Sequence, residues 1–191
     1  MESTAIYVKN MVCDRCKLAV AKVLRDVGLT PTDIRLGVVT VAGRLGESEI
    51  RRLRPALRAL GFDLLEDRQK QTVERIRCAV IGLVHYRDGK SDVNLSEYLS
   101  SSLGIDYSVL SKLFSESEGM TIERYFILQK IERVKELLFY GEMSLGEIAF
   151  KMNYSSTAHL SAQFKSVTGM TPTQFKTTGR KELTQLDRVG T

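Results

Sequence analysis

A chain of 191 residues with 43% apolar and 27% charged side chains is long enough to bury a core in each of two small domains. It carries no run of about 18 apolar residues and no apolar leader-like segment near its start, so a cytoplasmic protein with no membrane partner is expected. The net charge of +5 is compatible with an anionic partner, although Asp92 to Arg180 alone holds 9 basic against 10 acidic residues.

The three cysteines are odd in number, and Cys78 stands far from the other two. A disulfide framework is therefore disfavoured, and a reducing compartment leaves the thiols free. There are two histidines, no Ser/His/Asp or Cys/His arrangement, and no glycine-rich phosphate loop. The composition argues against an enzyme.

In chain order, TAIYVKN reads as a strand and is followed by MVCDRC, then by KLAVAKVLRDVGL as a helix with Leu18, Val20, Ala21, Val23 and Leu24 available to its inner side. DIRLG and VVTVAG form a strand pair with a very short connection at Gly37. ESEIRRLRPALRALG is helix-like and FDLLE closes the segment. This β-α-β-β-α-β order is that of the ferredoxin-like split βαβ arrangement. Pro55 falls inside the second helix, where it costs about 3 kcal/mol unless the helix kinks or begins there.

MVCDRC places Cys13 and Cys16 at CxxC spacing. From the residues alone a metal clip, a redox pair and simple loop packing are all open. A thioredoxin-like pair is the least favoured, because the order of strands and helices is wrong for that fold. A thiolate pair at a helix start gains from the helix dipole and from Arg15 and Lys17, each favouring the charged form. Strand, Met-x-Cys-x-x-Cys and helix within such a unit resemble the heavy-metal-associated domain of copper chaperones and metal-transporting ATPases, over Thr4 to Asp67. That resemblance implies Cys13 and Cys16 as metal ligands, Met11 as a buried anchor under the loop and Phe62 as the aromatic near the site, with Asn10 standing where the family usually has glycine. Soft thiolates suit Cu(I) or another soft ion, whereas Zn(II) wants four ligands.

RQKQTVERIRCAVIGLVHYRDGKS follows, with Val73, Ile76, Val80 and Leu83 at roughly helical spacing and a polar turn at Asp88 to Ser91. It reads as a linker helix that packs on the C-terminal half by default or pairs with its copy in a dimer, with Cys78 as a small buried apolar residue.

From Leu95 onward the sequence repeats at a shift of fifty: Leu95 on Leu145, Glu97 on Glu147, Leu110 on Leu160, Ser111 on Ser161, Phe114 on Phe164, Gly119 on Gly169 and Tyr125 on Phe175. In each copy a short helix is followed by a turn and a second helix. Ser144 with Glu147 makes a capping box, Asp106 can cap the helix carrying Leu110 and Phe114, Pro172 sits at a first helical position, and Gly119 and Gly169 stop helices. TIERYFILQKIERVKELLFYG between the copies reads as one long helix with an apolar face of Ile122, Tyr125, Phe126, Leu128, Ile131, Val134, Leu137 and Leu138. Two helix-turn-helix units joined by a linking helix can place their second helices in consecutive major-groove segments.

IERVKELLFYGEMSLGEIAFKMNYSSTAHLSAQFKSVTGMTPTQF resembles the DNA-binding domain of the AraC family of bacterial transcription regulators. The resemblance covers Val93 to Lys176 and is most specific from Ser144 to Phe175. It implies double-stranded DNA as partner, with Ser108, Ser111 and Lys112 of the first recognition helix and Thr157, Ala158, Ser161 and Ala162 of the second facing the groove, and His159 and Lys165 nearby. Helix N-termini at Asp106, Ser144 and Ser155 are candidate phosphate donors.

The expected organisation is α+β: a ferredoxin-like βαββαβ domain (1–67), a linker helix (68–91), an all-α double helix-turn-helix domain (92–180) and a flexible tail (181–191). The expected function is sequence-specific transcription regulation, responsive to Cu(I) or another soft ion through Cys13 and Cys16. A homodimer and RNA polymerase are further candidate partners. A metal-free N-terminal domain serving dimerisation or partner binding stays open, as does a metal-trafficking protein whose helical half is an interaction module.

Overall fold

The computed structural model describes residues 2–89, 93–178 and 183–190, and the chain divides into two compact units, 1–79 and 80–191. The first contains β1 (Ser3–Lys9), α1 (Asp14–Asp26), β2 (Pro31–Arg35), β3 (Val38–Ala42), α2 (Glu47–Arg58) and β4 (Asp63–Leu64). The strands form one small sheet in the order β2-β3-β1-β4, each neighbour antiparallel. Alternation along β3 buries Val39 and Val41 against Val8, Met11, Val20, Leu24, Leu53 and Leu57. Met11 is fully buried, as expected of an anchor under the loop, and Phe62 is buried as well. Asn10 adopts a left-handed backbone (φ 68°), the conformation for which glycine is the usual residue.

Pro55 neither starts nor ends its helix, since α2 begins eight residues earlier and its last turn continues past the ring. Pro55 is exposed, as is Arg51, whose carbonyl the ring leaves without a helical donor, so water can serve it.

β2 and β3 are joined by Leu36 and Gly37, the latter at φ 73°. A Cβ built at Gly37 would stand 2.7 Å from the Cys78 sulfur, so both backbone and space require glycine here. Gly37→Ala is expected to destabilise the chain by about 2 kcal/mol, read as a lowered urea midpoint. Combining it with Cys78→Ala should restore the part due to overlap and leave the part due to φ.

The stretch expected as a linker helix is divided between the units. Helix α3 (Arg68–Ile81) is followed by a π-helical turn, Gly82–Tyr86. The default of packing on the C-terminal half is corrected for the first three turns of α3, which bond into the N-terminal unit. The Asn10 N–H donates to Glu74 Oε1 at 2.8 Å, Gln71 Nε2 donates to the Leu65 carbonyl at 2.8 Å, and the Cys78 thiol lies 3.8 Å from the Met11 carbonyl. Cys78 is buried, as expected. Of the expected turn at Asp88 to Ser91, the last two residues lie outside the described residues, as do residue 92 at the start and 179–180 at the end of the expected helix-turn-helix domain.

The second unit contains α4 (Leu95–Leu103), α5 (Tyr107–Glu118), α6 (Ile122–Tyr140), α7 (Leu145–Lys151), α8 (Thr157–Thr168) and α9 (Pro172–Thr178). Left-handed Gly104, Gly119, Gly141 and Gly169 end α4, α5, α6 and α8. Ser144 and Glu147 make the expected capping box. Asn94, not foreseen, caps α4 by accepting the Glu97 N–H at 2.9 Å. The repeat is visible in the core: Phe114 meets Tyr125 at 5.4 Å between ring centroids, and fifty residues on Phe164 meets Phe175 at 5.5 Å. The centre of α6 is buried all round, including Gln129, Lys130 and Glu132. Gln129 joins His85 of the π turn (3.0 Å), the Tyr125 hydroxyl (2.8 Å) and the Leu186 carbonyl (3.2 Å).

The tail expected to be flexible is ordered over 183–190. The Thr184 N–H donates to Glu132, and Val189 is buried, because α6 offers polar partners that the tail backbone can satisfy. Residues 181, 182 and 191 lie outside the described part.

Candidate nucleic-acid interface

Helices α5 and α8 are the second helices of the two repeated segments of the helical unit, each anchored by one apolar pair that leaves the opposite side outward. Leu110 and Phe114 fix α5, and Leu160 and Phe164 fix α8, all fully buried. On α5 this exposes Ser108 and Lys112 and leaves Ser111 half-buried; on α8 it exposes Thr157, Ala158, His159, Ala162 and Lys165 and leaves Ser161 half-buried. The nine candidate residues thus fall on the outward sides of two short helices of the same unit. Val109, 54% exposed on α5, was not among them, although its position three residues before Lys112 puts it on that side.

The helix starts differ in detail from expectation. Ser156, not Ser155, is the N-cap of α8, and its hydroxyl accepts the His159 N–H at 3.1 Å. The Ser155 hydroxyl instead meets His159 Nδ1 at 3.0 Å, while the His159 ring stands edge-on to Tyr154 at 5.4 Å. Tyr154 in turn donates its hydroxyl to Gln163 Oε1 at 2.7 Å. The imidazole is therefore held in place at the first turn of α8. Asp106 occupies the N-cap of α5 but its side chain makes no cap bond, so its carboxylate is left at the helix start.

Electrostatics separate the two helices further. The Lys112 ammonium lies 4.0 Å from Glu116 Oε1. Behind α5, the Tyr107 hydroxyl donates to Glu123, which holds that carboxyl below its ordinary range, and burial pushes the phenol up.

In the first unit Cys13 is the N-cap of α1 and Cys16 lies in its first turn, with their sulfurs 3.1 Å apart. The expected activation of the thiols is not what the surroundings of Cys16 favour. Burial, followed by the hydrogen bond with Cys13, raises the Cys16 thiol above its ordinary value, and Lys17 is drawn into an ion pair with Asp14 at 2.6 Å. Burial likewise raises the Cys78 thiol well above the ordinary value. Among the described residues no group of three or more His, Cys, Asp or Glu side chains is placed to hold a metal ion. Two soft thiols without further donors fit a soft ion of low coordination number and do not fit a tetrahedral zinc site.

Among the described residues no helix is long and apolar enough to cross a membrane. Residues 99–178 match the family model of a helix-turn-helix domain. The chain is 36% identical over 85 residues to an uncharacterized HTH-type transcriptional regulator of Staphylococcus aureus, an overlap of 44% of this chain and 11% of that one. It is 27% identical over 115 residues to an uncharacterized HTH-type transcriptional regulator from the cgkA 5′ region of Pseudoalteromonas carrageenovora, covering 59% of this chain and 68% of the relative. The chain thus spans about a tenth of the length of its Staphylococcus aureus relative. Among solved structures, the C-terminal domain of AraT, a response regulator from Geobacillus stearothermophilus, aligns with a TM-score of 0.51 at 25% identity over 62% of this chain and 94% of that one.

Proposed function

We propose that the chain is a DNA-binding transcription regulator of AraC type, whose helical unit recognises duplex DNA through its helix-turn-helix pattern. One observation carries the reading: two helix-turn-helix units of the same pattern, fifty residues apart, each anchor their second helix by one apolar pair and turn its opposite side outward. The helix-turn-helix match over 99–178 supports it, as does the likeness to HTH-type transcriptional regulators. The candidates for base contact are Ser108, Ser111 and Lys112 on α5 and Thr157, Ala158, Ser161 and Ala162 on α8, with His159 and Lys165 beside them. Hydroxyls and small apolar groups dominate, so readout rests on thymine methyls and DNA shape more than on bidentate contacts. With few cations to meet phosphates, single-chain affinity is expected to be weaker than about 1 µM at physiological salt. Homodimerisation would raise the apparent affinity.

Selection from a random duplex pool by the purified chain tests this. A regulator enriches a sequence. A metal-trafficking protein with a helical interaction module enriches nothing. A nanomolar affinity for a single chain, measured by fluorescence anisotropy, would refute the weak-binding part.

The N-terminal unit is read as a ferredoxin-like sensor, on the β-α-β-β-α-β order and the β2-β3-β1-β4 sheet. Cys13 and Cys16 are the groups that would hold a soft ion such as Cu(I), and their 3.1 Å separation supports a shared ligand. Regulation then requires the ion to bind one global state of the chain more tightly than another.

A further inference from the structure

We infer that the two recognition helices are not equivalent: base reading is carried by α8 alone, and the face of α5 opposes DNA rather than binding it. This rests on the DNA-binding reading above and sharpens it to a footprint of one major-groove segment per chain.

The internal repeat supplies a controlled comparison, because residues 95–118 and 145–168 are the same unit used twice at equal length. The first copy carries Lys112 against Glu97, Asp106, Glu116 and Glu118, a net charge of −3. The second carries Lys151 and Lys165 against Glu147, a net charge of +1, with His159 in addition. Position by position the difference falls where DNA would lie. Asp106 at the start of α5 corresponds to Ser156 at the start of α8, Val109 to His159, Ser115 to Lys165 and Glu116 to Ser166.

The start of a recognition helix can present free backbone N–H groups to phosphate. At α8 the cap is a neutral serine, but at α5 the Asp106 carboxylate, bound to no backbone N–H of its helix, already carries a negative charge where a phosphate would approach. Lys112 marks the one outward position at which the first copy is the more basic, its counterpart being Ala162. Its ammonium, however, lies one turn from Glu116 at 4.0 Å, so a phosphate there would meet the carboxylate as well. Non-specific attraction to the duplex comes mainly from cations meeting phosphates. An α5 face bearing Asp106, Glu116 and a single lysine has a net negative charge and lacks that attraction, whereas α8 retains it through Lys165, with His159 held at its first turn.

Selection with the full chain from a random duplex pool at about 50 mM salt reads out the footprint. A single enriched block of about 5 base pairs is expected, alone or as a direct or inverted repeat when two chains bind. Two unlike blocks about 10 base pairs apart would overturn the inference and keep the DNA reading. No enrichment would overturn both.

Surface variants provide the second arm. Lys165→Ser should weaken binding to the selected site at least tenfold, and Lys112→Ser less than twofold; equal losses overturn the asymmetry. Copying the second unit into the first with Asp106→Ser, Ser115→Lys and Glu116→Ser adds three positive charges to the α5 face. Binding should strengthen at least tenfold, and the log–log salt dependence should steepen by roughly one for each phosphate gained. An unchanged salt slope in this variant, with its helical circular dichroism intact, would count against the inference.

Discussion

Raising the pH from 7 to 10.5 is expected to stabilise the wild-type chain relative to a Lys130→Met variant by up to about 3 kcal/mol. Lys130 is 8% exposed on α6, with its ammonium 3.9 Å from the centroid of the Tyr154 ring and 5.6 Å from that of Phe126. No carboxylate pairs with it among the described residues, and burial lowers its pKa from the usual 10.5 to about 8. An amine whose pKa is lower in the folded chain than in the unfolded one binds fewer protons when folded, over the window between the two values. Stability contributed at this site therefore rises from about pH 8 to pH 10.5, and below pH 8 the full cost of the buried charge is present.

The aromatic faces recover part of that cost, a cation–π contact being worth about 1 kcal/mol. Lys130→Met removes both the buried charge and the contact, which leaves the variant more stable at pH 7 by about 2 kcal/mol. Urea midpoints of the two proteins at pH 7 and pH 9.5 measure the difference. A gap that stays constant with pH would mean that the Lys130 amine titrates as an exposed lysine does.

Much of the helical unit could be read from one-letter patterns because its information is local and doubled. Phe114 with Tyr125 and Phe164 with Phe175 recur at the fifty-residue shift, and the two pairs stack at almost the same distance. Capping residues and left-handed glycines mark the helix ends within a residue or two, and one such residue separates Ser155 from the observed cap, Ser156. What could not be read is what depends on partners distant in the sequence. Gln129, Lys130 and Glu132 fall off the apolar stripe of α6, yet they are buried because the π turn, α7 and α8, and the tail surround that helix. The first turns of α3 were expected on the C-terminal half, but Glu74 accepts the Asn10 N–H, a pairing across 64 positions that only the folded loop creates. The sign at Cys16 failed for the same reason: helix dipole and sequence-adjacent cations argue for a thiolate, but burial and the Cys13 thiol outweigh them, and Lys17 turns to Asp14.

The CxxC loop carries the other large expectation. In a Cu(I) competition titration against a coloured chelator, the wild-type chain is expected to take up one ion per chain or per dimer, and Cys13→Ser/Cys16→Ser to take up none tightly. The sulfurs at 3.1 Å are beyond disulfide bonding distance, about 2.05 Å. They are also within the span that two metal–sulfur bonds of about 2.3 Å can bridge. Uptake must displace thiol protons, and the raised Cys16 thiol makes that costlier at low pH, so affinity should fall as pH is lowered, by about tenfold per unit for each proton displaced. Serine in place of both cysteines removes the soft donors while keeping the size of the side chains, and Met11 and Phe62 still fill the core beneath. Equal uptake by the two proteins would make the loop a packing device. The three tethers that bind α3 to the N-terminal unit, through Gln71, Glu74 and Cys78, would then serve the architecture of a dimerisation or partner-binding domain, with no ion involved.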